Sequence, residues 1–210
     1  MVAKASDLPK APPPHQLFKS DQRYFLNMAE ISAAEISEYE TTGFVVLRKR
    51  VDPILVQKAR DAITGRVQDA RKNGTEDRLF VTVYEGGDWP PECKTLYDAV
   101  EKSVPPASFS PKGSKLRIGS LVGVYQPNDV EGRGPPKTFF YKVGLYERDL
   151  QSTINMPEYY ERSHIDGPLK SAGDKLKIEE GDILVWQGRT GMKNVNKEGA
   201  AFMLISYSWD

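Results

Sequence analysis

Cysteine is nearly absent. Cys93 stands alone among 210 residues, so no internal disulfide can form, and a reducing compartment is expected. It lies in "WPPECKTLYDA" with no histidine nearby in sequence, and reads as a small side chain at a loop–helix junction rather than a nucleophile. An excess of either charge is also lacking: Lys+Arg and Asp+Glu both number 29, which leaves no field to gather nucleic acid. Mean hydropathy is −0.52, and no apolar run approaches the roughly 18 residues of a membrane span. The opening "MVAKASDLPKAPPPHQLFKSD" has no apolar stretch of the secretion-signal kind. These absences together predict a cytoplasmic protein with neither membrane nor nucleic acid as partner. Phosphate loops are missing as well, since no Lys-Ser/Thr follows Gly86-Gly87 or Gly132-Arg133-Gly134 at the required spacing. No serine sits in a nucleophile-elbow signature.

What is present is globular. The hydrophobic fraction is 39% and the aromatic fraction 10%, enough for one domain with a proper core. Residues 1–24 form a polar, Pro-rich arm with Pro12, Pro13 and Pro14 in a row, and residues 25–210 form the domain. Ser32-Ala33-Ala34-Glu35 is a capping box that opens a short helix, and Gly43 closes it. "FVVLR" (44–48) is a strand. Asp52-Pro53 opens a second helix with an apolar stripe at Leu55, Val56, Ala59, Ala62, Ile63 and Val67, closed by Asn73-Gly74. "RLFVTVYEG" reads as a strand and "ECKTLYDAVEKSV" as a helix. From residue 115 the pattern becomes "KLRIGSLVGVYQ", "KTFFYKVGLYER", "DKLKIEEGDILVWQG" and "AAFMLISYSWD", which are strands divided by turn residues. "PNDVEGRGPP" (127–136) reads as a long irregular loop. Helices followed by antiparallel strands predict a mainly β domain with flanking helices.

Two segments carry a resemblance. "AEISEYETTGFVVLRKRVDPILVQKARDAI" (34–63) resembles the opening of phytanoyl-CoA-dioxygenase-like iron(II)/2-oxoglutarate oxygenases. "EEGDILVWQGRTGMKNVN" resembles their late "GD-apolar-apolar-apolar-x-G" strand, with Gly181, Asp182, Gly188 and Asn196 keeping the frame. The resemblance implies a double-stranded β-helix, or jelly roll. It also implies an iron held by two His and one carboxylate, and a basic residue on the last strand that clamps 2-oxoglutarate.

Residue by residue, the implied chemistry is missing. The distal histidine position holds Met192, a soft thioether. The chain has two histidines, and His15 lies in the arm. No basic residue occurs between Gly199 and Asp210, and Phe202 falls in the region of the clamp. The H-x-D pair is expected around "VGVYQPND", which offers Gln126, Asn128 and Asp129 but no His. His164-Ile165-Asp166 has the right letters in the wrong place, and is a lesser alternative for two metal ligands. The first expectation is therefore a non-catalytic subunit with no cofactor of its own. It would form a heterodimer with a homologous catalytic oxygenase subunit that carries iron(II) and 2-oxoglutarate. The resemblance points to heterodimeric non-haem-iron oxygenases of fungal meroterpenoid pathways of the talaromyolide type. The arm and the aromatic strands are candidate interface elements. The alternatives are a metal-free cyclase or isomerase that uses the barrel pocket, with Tyr, Asp and His164 as acid or base, and an iron oxygenase after all.

Overall fold

The computed structural model describes residues 30–72, 80–85, 89–125, 128–144, 158–165, 174–176, 178–196 and 200–210. The arm, His15 and Asp166 lie outside them.

Three helices precede most of the sheet: α1 (Ala33–Thr42), α2 (Pro53–Lys72) and α3 (Pro91–Ser103). The expected capping box holds α1: Glu35 N–H donates to Ser32 Oγ at 3.2 Å, and Ser32 N–H donates to Glu35 Oε2 at 2.7 Å. Gly43 ends it at φ +92°, in the left-handed region that glycine enters without strain. In α2, Asp52 Oδ1 accepts from the Ile54 amide at 2.8 Å ahead of Pro53, as the Asp-Pro start predicts. The α2 stripe Val56, Ala59 and Ile63 and the α3 stripe Cys93, Leu96 and Val100 are all buried.

The described residues include ten strands: β1 (Phe44–Leu47), β2 (Phe80–Glu85), β3 (Leu116–Tyr125), β4 (Asn128–Gly132), β5 (Thr138–Gly144), β6 (Glu158–Tyr159), β7 (Asp174–Lys175), β8 (Ile183–Gln187), β9 (Met192–Asn196) and β10 (Ala200–Trp209). They make a six-stranded sheet in the order β1-β8-β5-β10-β3-β2 and a four-stranded sheet in the order β4-β9-β6-β7. From β3 to β10 the strands are shared between the two sheets as β3, β5, β8 and β10 against β4, β6, β7 and β9. Every pairing is antiparallel. This is the jelly roll that the strand pattern and the resemblance predict.

Along β1, β8 and the middle of β5 and β10 the large sheet is packed on both faces. One face carries Val45, Leu47, Phe139, Tyr141, Val143, Ile183, Val185, Met203, Ile205 and Tyr207 into a core shared with the helices. The other carries Phe44, Leu184 and Trp186, with Val46, Phe140 and Leu204 beside them, toward Leu176 and Met192. The aromatic strand β5 is thus interior. Phe139 stacks on Tyr207 (4.9 Å, 17°) and Phe140 on Trp186 (5.0 Å, 20°), which corrects its expected role as an interface element.

A second correction concerns the stretch read as an irregular loop. Residues 128–132 are β4, paired with β9 from Asn128↔Asn196 to Gly132↔Met192. Asn, Asp and Gly have poor strand propensity, and the pairing to a segment more than sixty residues away overrides it.

The retained "GD" motif is architectural. Gly181 sits at φ +87°, and a Cβ there would meet the Val51 carbonyl oxygen at 2.5 Å, which already accepts no side chain in so tight a space. Val51 N–H donates to Gly181 O at 3.0 Å. The Asp182 carboxylate, 1% exposed, accepts from the amides of Lys49 and Glu179, both at 2.9 Å, and from Arg48 at 2.6 Å. It ties the end of β1 to the start of β8. Asp182→Ala leaves two amides and a guanidinium without their acceptor, and is expected to cost roughly 2–4 kcal/mol in urea unfolding. A loss within the error of the measurement would refute this role.

Candidate functional site in the space between the sheets

Met192 is the first residue of β9, half-buried, and packs against the cluster of Phe44, Ile178, Leu184 and Trp186 between the sheets. Its cross-strand neighbours are Gly132 on β4 and Tyr159 on β6. Phe202, fully buried, lies on β10 with Leu204, on the face of the large sheet that looks the same way. The two positions singled out from sequence therefore belong to one region.

A metal ion needs ligands that converge on one point, and the residues beside Met192 include its ladder neighbours. Asn128 and Asp129 pair near the other end of β9, about 10–13 Å along the strand from Met192. In that register neither Asn128 nor Asp129 stands opposite Met192, and Gln126 lies outside the described residues. The residues opposite and next to Met192 are Gly132, Arg133 and Gly134. Gly132 has no donor atom. At Gly134 an added Cβ would lie 3.0 Å from Gly188 O and 3.3 Å from Phe140 Cε2, a tight fit in which a neighbour would have to shift. Among the described residues, no three His, Cys, Asp or Glu side chains come together as a metal-binding group. Among the described residues, the side chains around Met192 do not offer the imidazole and carboxylate that iron(II) takes.

His164 is committed elsewhere. Its Nε2 donates to the Glu40 carbonyl at 3.0 Å, one of the orphan carbonyls at the end of α1. A Cβ at position 43 would meet His164 Nδ1 and Thr190 Oγ1, both at 2.5 Å. The preceding Ser163 accepts from the Gly191 amide at 2.7 Å. The segment is a clasp between helix α1 and the β8–β9 turn. Cys93 is buried within α3; burial first, and the charge of Glu92 second, push its thiol up to about 12. It is a core side chain and no nucleophile.

One residue escapes the sequence reading. Lys142 on β5 is 7% exposed and lies opposite Leu184 on β8 and Leu204 on β10, both on the inter-sheet face. Its Nζ stands 5.7 Å from the centre of the Phe202 ring. Burial pushes its ammonium down from 10.5 to about 8, so it is still mostly cationic at neutral pH. The signal available in sequence was a lysine inside an otherwise apolar strand, "FFYKVG".

The lowered Lys142 value makes a stability prediction. The unfolded chain binds the proton more tightly than the folded one, so wild-type stability rises as pH climbs from about 8 to 10.5. Lys142→Met should remove that rise and add about 3 kcal/mol near pH 7, read by urea unfolding across the pH series. A variant less stable than wild type at pH 7 would contradict it.

The sequence matches no known family model and no curated protein. Solved structures do share the architecture. AviO1 from Streptomyces viridochromogenes Tue57 superposes with a TM-score of 0.63 at 15% identity, over 86% of this chain and 96% of that one. HygX from Streptomyces hygroscopicus, solved with nickel and 2-oxoglutarate bound, gives 0.64 at 12% identity, over 85% and 87%. SnoK, a non-haem α-ketoglutarate-dependent carbocyclase from nogalamycin biosynthesis, gives 0.57 at 13% identity, over 86% and 85%. The chain has the double-stranded β-helix fold of the 2-oxoglutarate-dependent non-haem oxygenases.

Proposed function

We propose that this chain is a metal-free member of the oxygenase fold that works in secondary metabolism as the non-catalytic partner of a homologous iron(II)/2-oxoglutarate oxygenase. The observation that carries the reading is the pairing of Met192 with Gly132. Where two strands would present ligands to one ion, a thioether faces a residue with no side chain. The fold-holding parts of the same region, Gly181 and Asp182, are intact. A chain that keeps the frame and drops the donors retains its surface as the working part. SnoK belongs to nogalamycin biosynthesis, which supports a biosynthetic setting. The pathway type suggested by the sequence is meroterpenoid assembly, with iron(II) and 2-oxoglutarate in the partner subunit and the complex in the cytoplasm.

A second reading is favoured by Lys142. A buried lysine with a lowered proton affinity is a group that acid–base or carbonyl chemistry uses, which suits a metal-free cyclase or isomerase. An iron oxygenase built on His164 and Asp166 is disfavoured by the bond from His164 to Glu40.

Co-expression with an oxygenase homologue from the same biosynthetic cluster tests the partner role. The expected result is a stable complex on size exclusion, with iron in a ratio of one per pair and activity lost when this chain is omitted. A chain that elutes alone beside a fully active homologue would end the proposal. Met192→His, assayed for bound iron, is expected to stay metal-free, because Gly132 and Gly134 supply no companion ligands. Tight stoichiometric iron in that variant would overturn the assignment.

A further inference from the structure

The ladders of the small sheet sort its residues into rows. Gly132 on β4, Met192 on β9, Tyr159 on β6 and Asp174 on β7 stand opposite one another in turn. One residue along, the row is Glu131, Lys193, Glu158 and Lys175. Residues directly opposite in an antiparallel pair share a face, and successive residues of a strand alternate. Met192 packs into the apolar cluster between the sheets, and so does Leu176, two residues beyond Asp174. The row of Met192 is therefore the one that faces the large sheet. The other row, on the far face, alternates acid and base, as an outer face can. The inner row is out of keeping with an apolar interior, because it sets a phenol residue and a carboxylate residue at directly opposite positions. The large sheet across from it contributes Phe140, Leu184, Trp186 and Leu204. Asp174 is two strands from Met192, roughly 10 Å, too far to share one ion with a ligand at that position.

We propose that Tyr159 and Asp174 form a metal-free acid–base pair between the sheets, acting on a substrate with a carbonyl group and an acidic C–H beside it. The proposal rests on the second reading above, the metal-free enzyme, and not on the partner role. Opposite residues of an antiparallel pair have Cβ atoms ~4.5–5.5 Å apart, which lets one reach a carbonyl oxygen and the other the adjacent carbon. In a β,γ-unsaturated ketone, Asp174 takes the proton from the carbon between the carbonyl and the double bond. The C–H electron pair becomes a new C=C bond, and the carbonyl oxygen takes the Tyr159 proton, which gives a dienol. Asp174 then returns its proton to the far carbon of the original double bond, and the oxygen returns the other to Tyr159. The double bond has moved into conjugation; nothing is oxidised or reduced, and no ion takes part.

The test is conversion of β,γ-cyclohexenone to its α,β isomer by the purified full chain in EDTA, followed by the absorbance of the conjugated product. The wild type is expected to exceed the buffer rate. Asp174→Asn should lower the enzymic rate at least about hundredfold, and Tyr159→Phe at least about tenfold. Both substitutions keep the size of the side chain, melting curves check that each variant is folded, and the wild-type measurement needs no variant at all. A wild type no faster than buffer would overturn the proposal, as would conversion that appears only with added iron. Conversion that survives both substitutions would also overturn the pair, while leaving a metal-free enzyme in place. None of these outcomes depends on whether the chain co-elutes with an oxygenase homologue.

Discussion

The constraint on which the rest depends is that β8 and the middle of β5 and β10 are covered on both faces. Ile183, Val185, Tyr141, Met203 and Ile205 pack toward the helices, and Leu184, Trp186, Phe140 and Leu204 pack toward the small sheet. That is why "ILVWQ" runs apolar without alternation, in the manner of a strand covered on both sides. It also fixes the need for α2 and α3, since without them Ile183, Val185, Ile205 and Tyr207 would face water. The helices are tied to the sheet by a polar contact inside this apolar layer. Tyr97 and Tyr207 both donate to Glu101 Oε1, at 2.7 and 2.9 Å, which joins α3 to β10. Burial, with the Glu101 contact behind it, raises the Tyr207 phenol well above its ordinary range and keeps it a donor.

The same constraint separates two kinds of motif. Gly181 and Asp182 are needed wherever β1 must turn back against β8. One has no room for a Cβ, and the other satisfies two amides and an arginine. Met192 carries no such demand, and lies half-buried beside the apolar cluster between the sheets. A thioether at 192 suits a site that has become part of an apolar cluster.

Much of this was legible from sequence. The capping box at Ser32, the stop at Gly43, the Asp52-Pro53 start and the strands around β1, β8 and β10 all rest on local chemistry, and local chemistry is what a sequence displays. Met192 and Phe202 were found through the resemblance, and both fall on the inter-sheet side of the fold. The strands β4 and β9 were missed because their pairing is long-range and their residues are weak strand formers. Lys142 was missed for a related reason. Alternation along "FFYK" tells which side chains share a face, and a lysine on one face normally marks it as the wet one. Here the wet face does not exist, and only the tertiary arrangement shows it.

The position of β10 has a consequence for how the chain is made. It follows every other strand in sequence, yet it is central, paired to β3 along ten residues and to β5 along seven. Until it has left the ribosome, the large sheet is two separate pieces: β2 with β3, and β5 with β8 and β1. Each piece exposes open edges and apolar faces, including the aromatic layer around Phe139 and Tyr141. The step that pairs β10 is also the step that closes the large sheet, so a chain in which β10 is not yet paired exposes strand edges that favour aggregation.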